Sequence, residues 1–364
     1  MTAPRIEVDL VKIRRNARQL VDRLAQHGIA VTGVTKGVCG HPEIAQAMLD
    51  GGVQRLADAR VSNVERMRAA GIDAPVVLIR TPMRSQTDRV VRACGTSLNT
   101  DADVVTALAQ SAARAGVVHQ VVLMVEMGDG REGVQPDELA GLARHVMGLD
   151  GVVLAGIGAN FACLSGGAPH PSEMGKLSAL AAAIEGDFGI TLRTISGGNS
   201  ASLPGLYRTG LRTRVNDLRL GEAILLGRDP VTRAPIDGLS TDAFVLVAEI
   251  IESAADLPQP SVLRLPVSGT GESKSLLALG DQDTDIGGLS MPVGMTRLGS
   301  SSDHLLLQTR GAALVAGSEV CFQPDYSALM RAMSAPDVEK VILDGAGADR
   351  PVRKPDRRPT LAQA

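Results

Sequence analysis

A single lysine, Lys36, ends a short run of small and apolar residues in VTKGVCG (34–40). Only six of the 37 basic residues in this 364-residue chain are lysines, and the others are arginines. Arginine stays protonated in proteins, whereas a lysine at the end of a strand can be tuned to lose its proton and attack a carbonyl carbon. Lys36 is therefore a candidate nucleophile for carbonyl chemistry.

The segment SGGNSAS (196–202) could bind a phosphate group. Its glycines expose backbone N–H groups, Ser200 adds a hydroxyl, and a helix is predicted to begin directly afterwards, which together favour an anion site. A second exposed glycine, Gly221, lies in RLGEAILLG (219–227). Ordinary strand-to-helix turns remain the alternative for both segments.

One type of cofactor would use all of these groups. A phosphorylated aldehyde condenses with a deprotonated lysine, places its phosphate on backbone N–H groups, and needs a partner for its ring nitrogen. Arginines between Lys36 and the phosphate segments could supply that partner.

GDGREG (128–133) fits the dinucleotide fingerprint G-x-G-x-x-G but is better explained as a turn. It follows the fifth predicted strand, and Pro136 places the next helix beyond the last glycine. We interpret it as a tight turn that directs Arg131 towards the active site.

DQDTDIGG (281–288) resembles a calcium-binding loop only in part. Ile286 and Pro292 occupy the positions at which such a loop needs glycine and glutamate, which favours a polar turn. The six histidines show no metal-ligand spacing either, so no metal is predicted.

Short apolar strands alternate with helical patterns from residue 10 to about residue 230. Continuous apolar strands between helices indicate a parallel sheet covered on both faces, and eight such units are typical of a (β/α)8 barrel. We therefore predict an α/β fold with a TIM barrel over residues 10–235; an open doubly wound sheet is the alternative. The predicted strands are IAVTGVTK (29–36), VQRLADA (53–59), PVVLIR (75–80), TSLNT (96–100), HQVVLMVEMG (119–128), GVVLAGIGAN (151–160), ITLRTISGG (190–198) and VNDLRLGE (215–222).

The pattern changes after about residue 235, where short strands are separated by turns with hardly any helix. We predict a C-terminal mainly-β domain over residues 236–345, with residues 5–9 as a candidate additional strand, and a flexible tail over residues 346–364. The predicted strands include FVLVAEIIE (244–252), SVLRLPVSG (261–269), SLLALG (275–280), DHLLLQTRG (303–311) and SEVCFQPD (318–325).

The loops after the strands of such a barrel form one mouth, where active sites are built. Polar residues collect at these strand ends, which strengthens the case for chemistry there. They are Lys36, Asp58, Arg60, Arg80, Asn99, Arg131, Asn160, Asn199, Ser200, Arg219 and Gly221.

Composition argues against several classes of partner. The formal net charge is −3 and no basic stripe occurs, so nucleic acid is not an expected partner. No apolar run approaches eighteen residues and no signal peptide is evident, so no membrane is expected. The four cysteines are dispersed, as is typical of a protein of the reducing cytoplasm.

Taken in order, several of these segments resemble the alanine/ornithine racemase family of fold-type III pyridoxal-phosphate enzymes. The similarity extends from about Ile6 to Lys340. It implies a barrel that carries pyridoxal 5′-phosphate, a C-terminal β domain, and a homodimer with shared active sites. The matching segments are VTKGVCG, LADAR, MVEMGDGREG, GIGANFAC, SGGNSASL, NDLRLGEAILLG and SSDHLLL.

The resemblance also implies roles for individual residues. Lys36 would form the Schiff base with the cofactor, and Arg219 would face the pyridine nitrogen and discourage its protonation. Arg131 would contact the phenolic oxygen of the cofactor and the carboxylate of the substrate. The remaining cofactor contacts would come from Asn160, Asn199, Ser200, Gly221, Glu222 and Tyr326.

Two positions depart from the alanine racemase pattern. The phosphate-binding tyrosine four residues after the lysine is replaced by Gly40. The catalytic tyrosine of the β domain is replaced by Asp281 in ALGDQDT. Asp281 and His304 are therefore candidates for the second acid/base, with water or Cys39 as alternatives, and Ser302 and Asp303 would contact the substrate carboxylate.

We predict an amino-acid racemase that exchanges the Cα proton with two bases, Lys36 being one. The missing tyrosine argues against alanine, and the resemblance to the ornithine-type branch places ornithine ahead of lysine, alanine and serine. A cationic side chain would require a carboxylate, for which four are available: Asp58, Glu222, Asp281 and Asp283. A D-amino-acid aldolase or dehydratase of the same fold and a non-catalytic cofactor carrier are the alternatives.

Overall fold

The computed structural model describes residues 2–209, 213–254, 272–310 and 314–345. The chain divides into two compact units, one formed by Ile13–Thr241 and the other by Met1–Lys12 together with Asp242–Ala364. Strand β1 (Arg5–Asp9) and helix α1 (Leu10–Ala25) come first in the chain. The predicted tail over residues 346–364 and the predicted strand at 261–269 lie outside the described residues.

The unit Ile13–Thr241 contains a closed barrel of eight parallel strands, which confirms the predicted (β/α)8 barrel. Its last strand pairs with its first, in the register Ala30↔Asp217, so the open doubly wound sheet is wrong. The strands are β2 (Ala30–Val34), β3 (Arg55–Asp58), β4 (Val76–Leu78), β5 (Thr96–Asn99), β6 (His119–Val125), β7 (Val152–Ala159), β8 (Thr194–Asn199) and β9 (Asp217–Leu220).

Helices follow each strand of the barrel, several through short 3₁₀ turns. Helix α5 shows the local signals: the carboxylate of Asp101 accepts a hydrogen bond from Val104 N, and the helix ends at Gly116 with φ of 66°. The helices are α2 (Pro42–Asp50), α3 (Val61–Ala69), α4 (Thr87–Ala93), α5 (Ala102–Ala115), α6 (Leu139–Met147), α7 (Pro171–Phe188), α8 (Leu203–Thr209) and α9 (Glu222–Leu226).

Aliphatic side chains fill the barrel unit in two layers. Val34, Leu98 and Met124 belong to a cluster made by strands alone, inside the barrel. Leu123 and Leu177 belong to a second cluster, between strands and helices. Because both faces of each strand are covered, the strands read as continuous apolar runs rather than alternating ones.

The described residues of the second unit form an eight-stranded sheet built around β10. Strand β1 is part of it, antiparallel to β10 and parallel to β16. Its other elements, in chain order, are β10 (Phe244–Ala254), β11 (Glu272–Leu277), β12 (Leu289–Ser290), β13 (Met295–Ser300), β14 (Leu305–Arg310), β15 (Glu319–Pro324), α10 (Tyr326–Ser334) and β16 (Glu339–Leu343).

Three local predictions need correction. The apolar spacing in LVKIRRNARQLVDRLAQHG (10–28) predicts a helix as far as Gly28, but helix α1 ends at Ala25, and Gly28 has a φ of 69° that a helix does not allow. The strand predicted from residue 190 begins only at Thr194. The second unit contains the helix α10, which starts where the carboxylate of Asp325 accepts a hydrogen bond from Ala328 N.

Candidate active site

Lys36 follows β2 as the first residue of the 3₁₀ turn Lys36–Val38, and it is half-buried. The preceding Thr35 is fully buried and its hydroxyl donates to Asp58 Oδ2 at 2.8 Å. Asp58 is the last residue of β3, so the chain next to Lys36 is fixed to the neighbouring strand. The structure thus places Lys36 at the C-terminal end of the first barrel strand, as predicted.

Asp58 organises this loop and does not line an open pocket. Its carboxylate is fully buried and also accepts hydrogen bonds from Arg60 N and Asn63 Nδ2, both at 2.9 Å. Burial raises the pKa of Asp58, while these donors oppose that change. The interpretation of Asp58 as a wall for a cationic substrate is therefore wrong.

Gly40 has a structural reason to lack a side chain. Its φ is 61°, and a Cβ built on it would lie 2.8 Å from the backbone oxygen of Asn63. A tyrosine at this position would collide with helix α3. The departure from the tyrosine of alanine racemases is thus part of how this loop packs.

Arg219 lies inside the barrel and is 4% exposed. Its guanidinium donates from Nη1 to Ser196 Oγ and from Nη2 to the carbonyl oxygen of Ala159 at 2.7 Å, with Asn160 Oδ1 at 3.4 Å. All three acceptors are neutral. Burial lowers the pKa of Arg219, which the charge of Asp217 opposes.

Asn160 connects Arg219 to the loops after β6, β7 and β8. Its Nδ2 donates to Asp129 Oδ2 at 3.0 Å, and its Oδ1 lies 3.3 Å from the donor Nδ2 of Asn199. Asn199 Oδ1 in turn accepts a hydrogen bond from Ala201 N at 2.9 Å and so caps the turn that contains Ser200. Three predicted site residues, Asn160, Asn199 and Arg219, therefore form one network.

The GDGREG turn is organised by a carboxylate of the chain itself. Glu126 accepts hydrogen bonds from the backbone N–H groups of Gly128, Gly130 and Arg131 at 2.6, 3.1 and 3.2 Å. Those N–H groups are occupied, so they cannot hold a pyrophosphate. Nε of Arg131 is buried and has no hydrogen-bond partner among the described residues.

Ser200 and Gly221 bring the loops after β8 and β9 together. Ala223 N donates to Ser200 Oγ at 3.2 Å, and a Cβ on Gly221 would lie 3.2 Å from Val34 Cβ. A side chain at position 221 would therefore crowd the end of β2. Glu222 forms an ion pair with Arg233 at 2.9 Å, and its side chain is 12% exposed.

The predicted residues of the β domain lie in two adjacent loops of the second unit. Asp281 N donates to the carbonyl oxygen of Ser301 at 2.9 Å, and His304 N lies 3.2 Å from Ser301 Oγ. Gly280 permits this approach, since a Cβ there would lie 2.1 Å from the backbone oxygen of Ser302. The loops bring together Asp281, Ser302, Asp303 and His304, while Tyr326 begins helix α10.

Asp129, Ser196 and Asp217 were not identified from the sequence. Asp129 contacts Asn160, Ser196 contacts Arg219, and Asp217 contacts Ser196. Asp217 and Ser196 could have been found from strand alternation, because Asp217 lies two residues before Arg219 on the same strand face. The contact of Asp129 with Asn160 joins two loops and has no such signal.

Among residues 2–209, 213–254, 272–310 and 314–345, no group of three or more His, Cys, Asp or Glu side chains is placed to hold a metal ion. Each helix in these ranges is too short or too polar to cross a membrane.

A closed barrel with a lysine after its first strand and a buried arginine on its last strand has the arrangement of the fold-type III pyridoxal-phosphate enzymes. A family model described as "Alanine racemase, N-terminal domain" matches residues 8–229, and the chain belongs to this family. Enzymes of this family depend on pyridoxal 5′-phosphate and are racemases, a class of isomerase.

Two relatives match almost end to end. The lysine racemase of Thermotoga maritima is 33% identical over 94% of this chain and 99% of its own length. The ornithine racemase of Acetoanaerobium sticklandii is 29% identical over 93% of this chain and 99% of its own length.

Solved structures share the fold at lower identity. The alanine racemase of Clostridium difficile 630 has a TM-score of 0.77 at 18% identity, covering 95% of this chain and 97% of that one. The D-threonine aldolase of Filomicrobium marinum has a TM-score of 0.73 at 18% identity, covering 92% of this chain and 89% of that one.

The residues of the barrel unit fit this cofactor on three observations. The loops that carry Ser200 and Gly221 meet where Ala223 N donates to Ser200 Oγ. The buried Nε of Arg131 has no partner within the described chain and is available to an acceptor. Arg219 is buried and donates to neutral acceptors, which suits a guanidinium placed at a ring nitrogen.

Proposed function

We propose that this chain interconverts the L and D forms of a cationic amino acid, with ornithine and lysine as the candidate substrates. Two racemases named for these amino acids cover more than nine-tenths of the chain, which supports the proposal. The sequence prediction that ornithine comes before lysine stays a prediction. Alanine and serine rank below both.

The observation that carries the proposal is the pairing of β2 with β9. Arg219 on β9 is in register with Thr32 on β2, and Lys36 follows β2 two residues beyond its end, so both charged residues belong to one seam of the barrel. A lysine at the mouth of the barrel and an arginine buried inside it can contact opposite ends of one ring-shaped cofactor. We propose that Lys36 Nζ holds the cofactor aldehyde and that Arg219 stands at its ring nitrogen.

When bound, pyridoxal 5′-phosphate supplies a ring that accepts electron density from Cα of the amino acid. Once the substrate amine has taken its place on the aldehyde, the free amine of Lys36 would remove or return the Cα proton on one face. Arg131, whose Nε has no partner in the described part of the chain, orients the substrate carboxylate. Ser200, Asn199 and Gly221 hold the phosphate, with Asn160 against the ring and Glu222 and Tyr326 as neighbouring contacts.

A second group must exchange the proton on the opposite face. We propose that it comes from the second unit of a partner subunit in a homodimer. Asp281 and His304 are the candidates, with Ser302 and Asp303 contacting the substrate carboxylate. A carboxylic acid and an imidazole can each exchange a proton within hydrogen-bond reach of Cα.

A substrate panel tests the proposal. Ornithine, lysine, alanine and serine would each be supplied as one enantiomer and the products separated by chiral chromatography. We expect ornithine or lysine to racemise at least tenfold faster than alanine. Faster turnover of alanine would contradict the proposed substrate.

Trapping the cofactor tests its attachment. After borohydride reduction, peptide mapping should find the label on Lys36, and a label on another lysine would contradict the assignment. Deuterium exchange at Cα in D₂O separates a racemase from a non-catalytic carrier. Loss of activity with a chelator would instead support an aldolase or dehydratase.

The second base can be tested by replacing Asp281. Asp281→Asn should slow deuterium incorporation from one enantiomer far more than from the other, because the two faces use different groups. Equal and slight losses in both directions would remove Asp281 from the mechanism and leave His304 as the next candidate.

A further inference from the structure

A buried carboxylate, Asp217, lies close to Arg219 and has no assigned role in the cofactor site. Asp217 is 4% exposed and lies two residues before Arg219 on β9. Ser196, on the neighbouring strand β8 and 1% exposed, stands between the two.

Ser196 connects the two charges through its single hydroxyl. Its oxygen accepts a hydrogen bond from Arg219 Nη1 and donates one to Asp217 Oδ2. A hydroxyl can accept and donate at once, so the serine transmits the orientation of the carboxylate to the guanidinium. The direction of donation is fixed because a guanidinium only donates and an ionised carboxylate only accepts.

Asp217 is itself held in place from two other directions. Thr32 Oγ1 donates to Asp217 Oδ1 at 2.6 Å, and Arg55 Nη2 donates to the same atom at 3.1 Å. The side chain of Arg55 is 32% exposed, whereas that of Asp217 is 5% exposed. The buried carboxylate is therefore paired with a partly solvated guanidinium. A cavity of about 20 Å³, lined by Arg55, Asp217 and Arg219 among others, has room for one water.

Within the described chain, no carboxylate contacts Arg219 directly. A buried cation in contact with neutral acceptors alone is unfavourable unless an opposite charge lies close by. Asp217 carries such a charge and lies one hydroxyl away from the guanidinium. Burial lowers the pKa of Arg219, and the charge of Asp217 raises it.

We propose that Asp217 is a positioning residue for Arg219, acting through Ser196 to fix the guanidinium and balance its charge inside the barrel. This rests on the proposed placement of Arg219 at the ring nitrogen of the cofactor. It adds a residue that touches neither cofactor nor substrate.

The test compares five variants: Asp217→Asn, Ser196→Ala, the double variant, Arg219→Gln and Arg55→Gln. Two quantities are measured on each, the Kd for pyridoxal 5′-phosphate by equilibrium dialysis of the apoprotein and the visible absorption maximum of the loaded protein. Thermal unfolding of the apoprotein reports whether each variant is folded.

We expect Asp217→Asn and Ser196→Ala each to raise the Kd by about tenfold, because each loosens one charge-assisted contact. Both should move the absorption maximum in the same direction as Arg219→Gln. The double variant should be no weaker than the worse single variant, since both act through one relay. Arg55→Gln should change both quantities less than Asp217→Asn does, because Thr32 still donates to the Asp217 carboxylate.

Three outcomes would overturn the inference. Asp217→Asn and Arg55→Gln could lower the unfolding temperature equally while neither changes the Kd or the absorption maximum. In that case Asp217 only stabilises the contacts of β9 with Thr32 and Arg55 and does not position Arg219. If the effects of Asp217→Asn and Ser196→Ala add, they do not act in series. If Arg219→Gln changes nothing, the proposed placement of Arg219 fails, and this inference fails with it.

Discussion

At the scale of single residues, Asp129 holds two loops of the site together. Its carboxylate accepts hydrogen bonds from Asn160 Nδ2 at 3.0 Å and from the backbone N–H groups of Cys163 and Leu164 at 2.9 and 3.1 Å. Burial tends to raise the pKa of Asp129, but these donors outweigh it and lower the pKa. Its contribution to stability is therefore present above pH 4 and is lost at lower pH.

Replacing Asp129 with asparagine should loosen Asn160 and slow catalysis. An amide oxygen is a weaker acceptor than a carboxylate, so Asp129→Asn should lower kcat/KM about tenfold, equivalent to about 1.4 kcal/mol. Hydrogen exchange at the amides of 163–165 should rise at the same time. The control is Asp137→Asn, an exposed acid in the same connection, which should change neither; faster exchange in the control would refute the assignment.

His119 predicts a pH dependence of stability. It is 1% exposed, its Nε2 lies 2.8 Å from Ser97 Oγ, and burial lowers its pKa to about 4. The unfolded chain binds a proton near pH 6.5, but the folded chain does so only near pH 4. Stability should therefore fall as the pH drops between these values, by about 3 kcal/mol from this group.

The variant His119→Gln should flatten this acid slope in urea unfolding measured from pH 7 to pH 4. The exposed His27 offers the control, since His27→Gln should leave the slope unchanged. A slope that is the same in His119→Gln and in the unsubstituted protein would show that other groups control acid unfolding.

At the scale of elements, two glycines with similar φ angles differ in what an added Cβ would meet. Comparing them distinguishes the cost of backbone strain from the cost of a steric clash. Gly28 has φ of 69° and no atom within 4 Å of a built Cβ, whereas Gly40 has φ of 61° and meets Asn63 at 2.8 Å. Gly28→Ala should cost about 1 kcal/mol from the left-handed conformation alone. Gly40→Ala should cost about 1–3 kcal/mol more, because α3 must move.

Urea unfolding measures both costs, and the difference between the variants isolates the collision. Because Asn63 also binds Asp58, Gly40→Ala should weaken cofactor binding next to Lys36, whereas Gly28→Ala should not. Equal costs for the two alanine variants would mean that the α3 contact yields easily.

The sequence predicts elements and strand ends better than it predicts their contacts. The apolar run at 119–128 predicts β6 because that strand is buried at six of its seven residues. The ends of β2, β8 and β9 follow from the same periodicity, and with them Lys36, Ser200 and Arg219. Asp129 could not be found, because its contact with Asn160 depends on two loop conformations 31 residues apart.

Helix α10 was missed for a related reason. It is only nine residues long, and its start depends on the Asp325 cap rather than on a long periodic pattern. The prediction for Asp58 was wrong because the sequence pattern of a carboxylate at a strand end is the same whether the side chain faces solvent or a neighbouring threonine. Only the packing of Thr35 and Asn63 around it decides between the two.

At the scale of the whole molecule, β1 is a central strand of the second unit although it lies at the start of the numbering. Ile6 is fully buried on it and is in register with Leu246 on one side and Lys340 on the other. Ile6→Ala should lower the unfolding free energy by about 2–5 kcal/mol. Val11→Ala, at a residue that is 40% exposed, should change it by less than about 0.5 kcal/mol.

Native-state hydrogen exchange locates this effect. In Ile6→Ala, amides of β10 and β16 should exchange faster together, while the barrel strands β5 and β6 should keep their protection. Equal acceleration in barrel and sheet would mean that the two units unfold as one.

The place of β1 also sets an order of events on the ribosome. Residues 5–9 are synthesised early, but their partners at 244–247 and 339–343 emerge only after the whole barrel has been made. At about 5–20 residues per second, this strand waits unpaired for on the order of tens of seconds. During that time its backbone N–H and C=O groups are open to other chains, so chaperone occupancy of the nascent N-terminal segment should exceed that of the barrel strands.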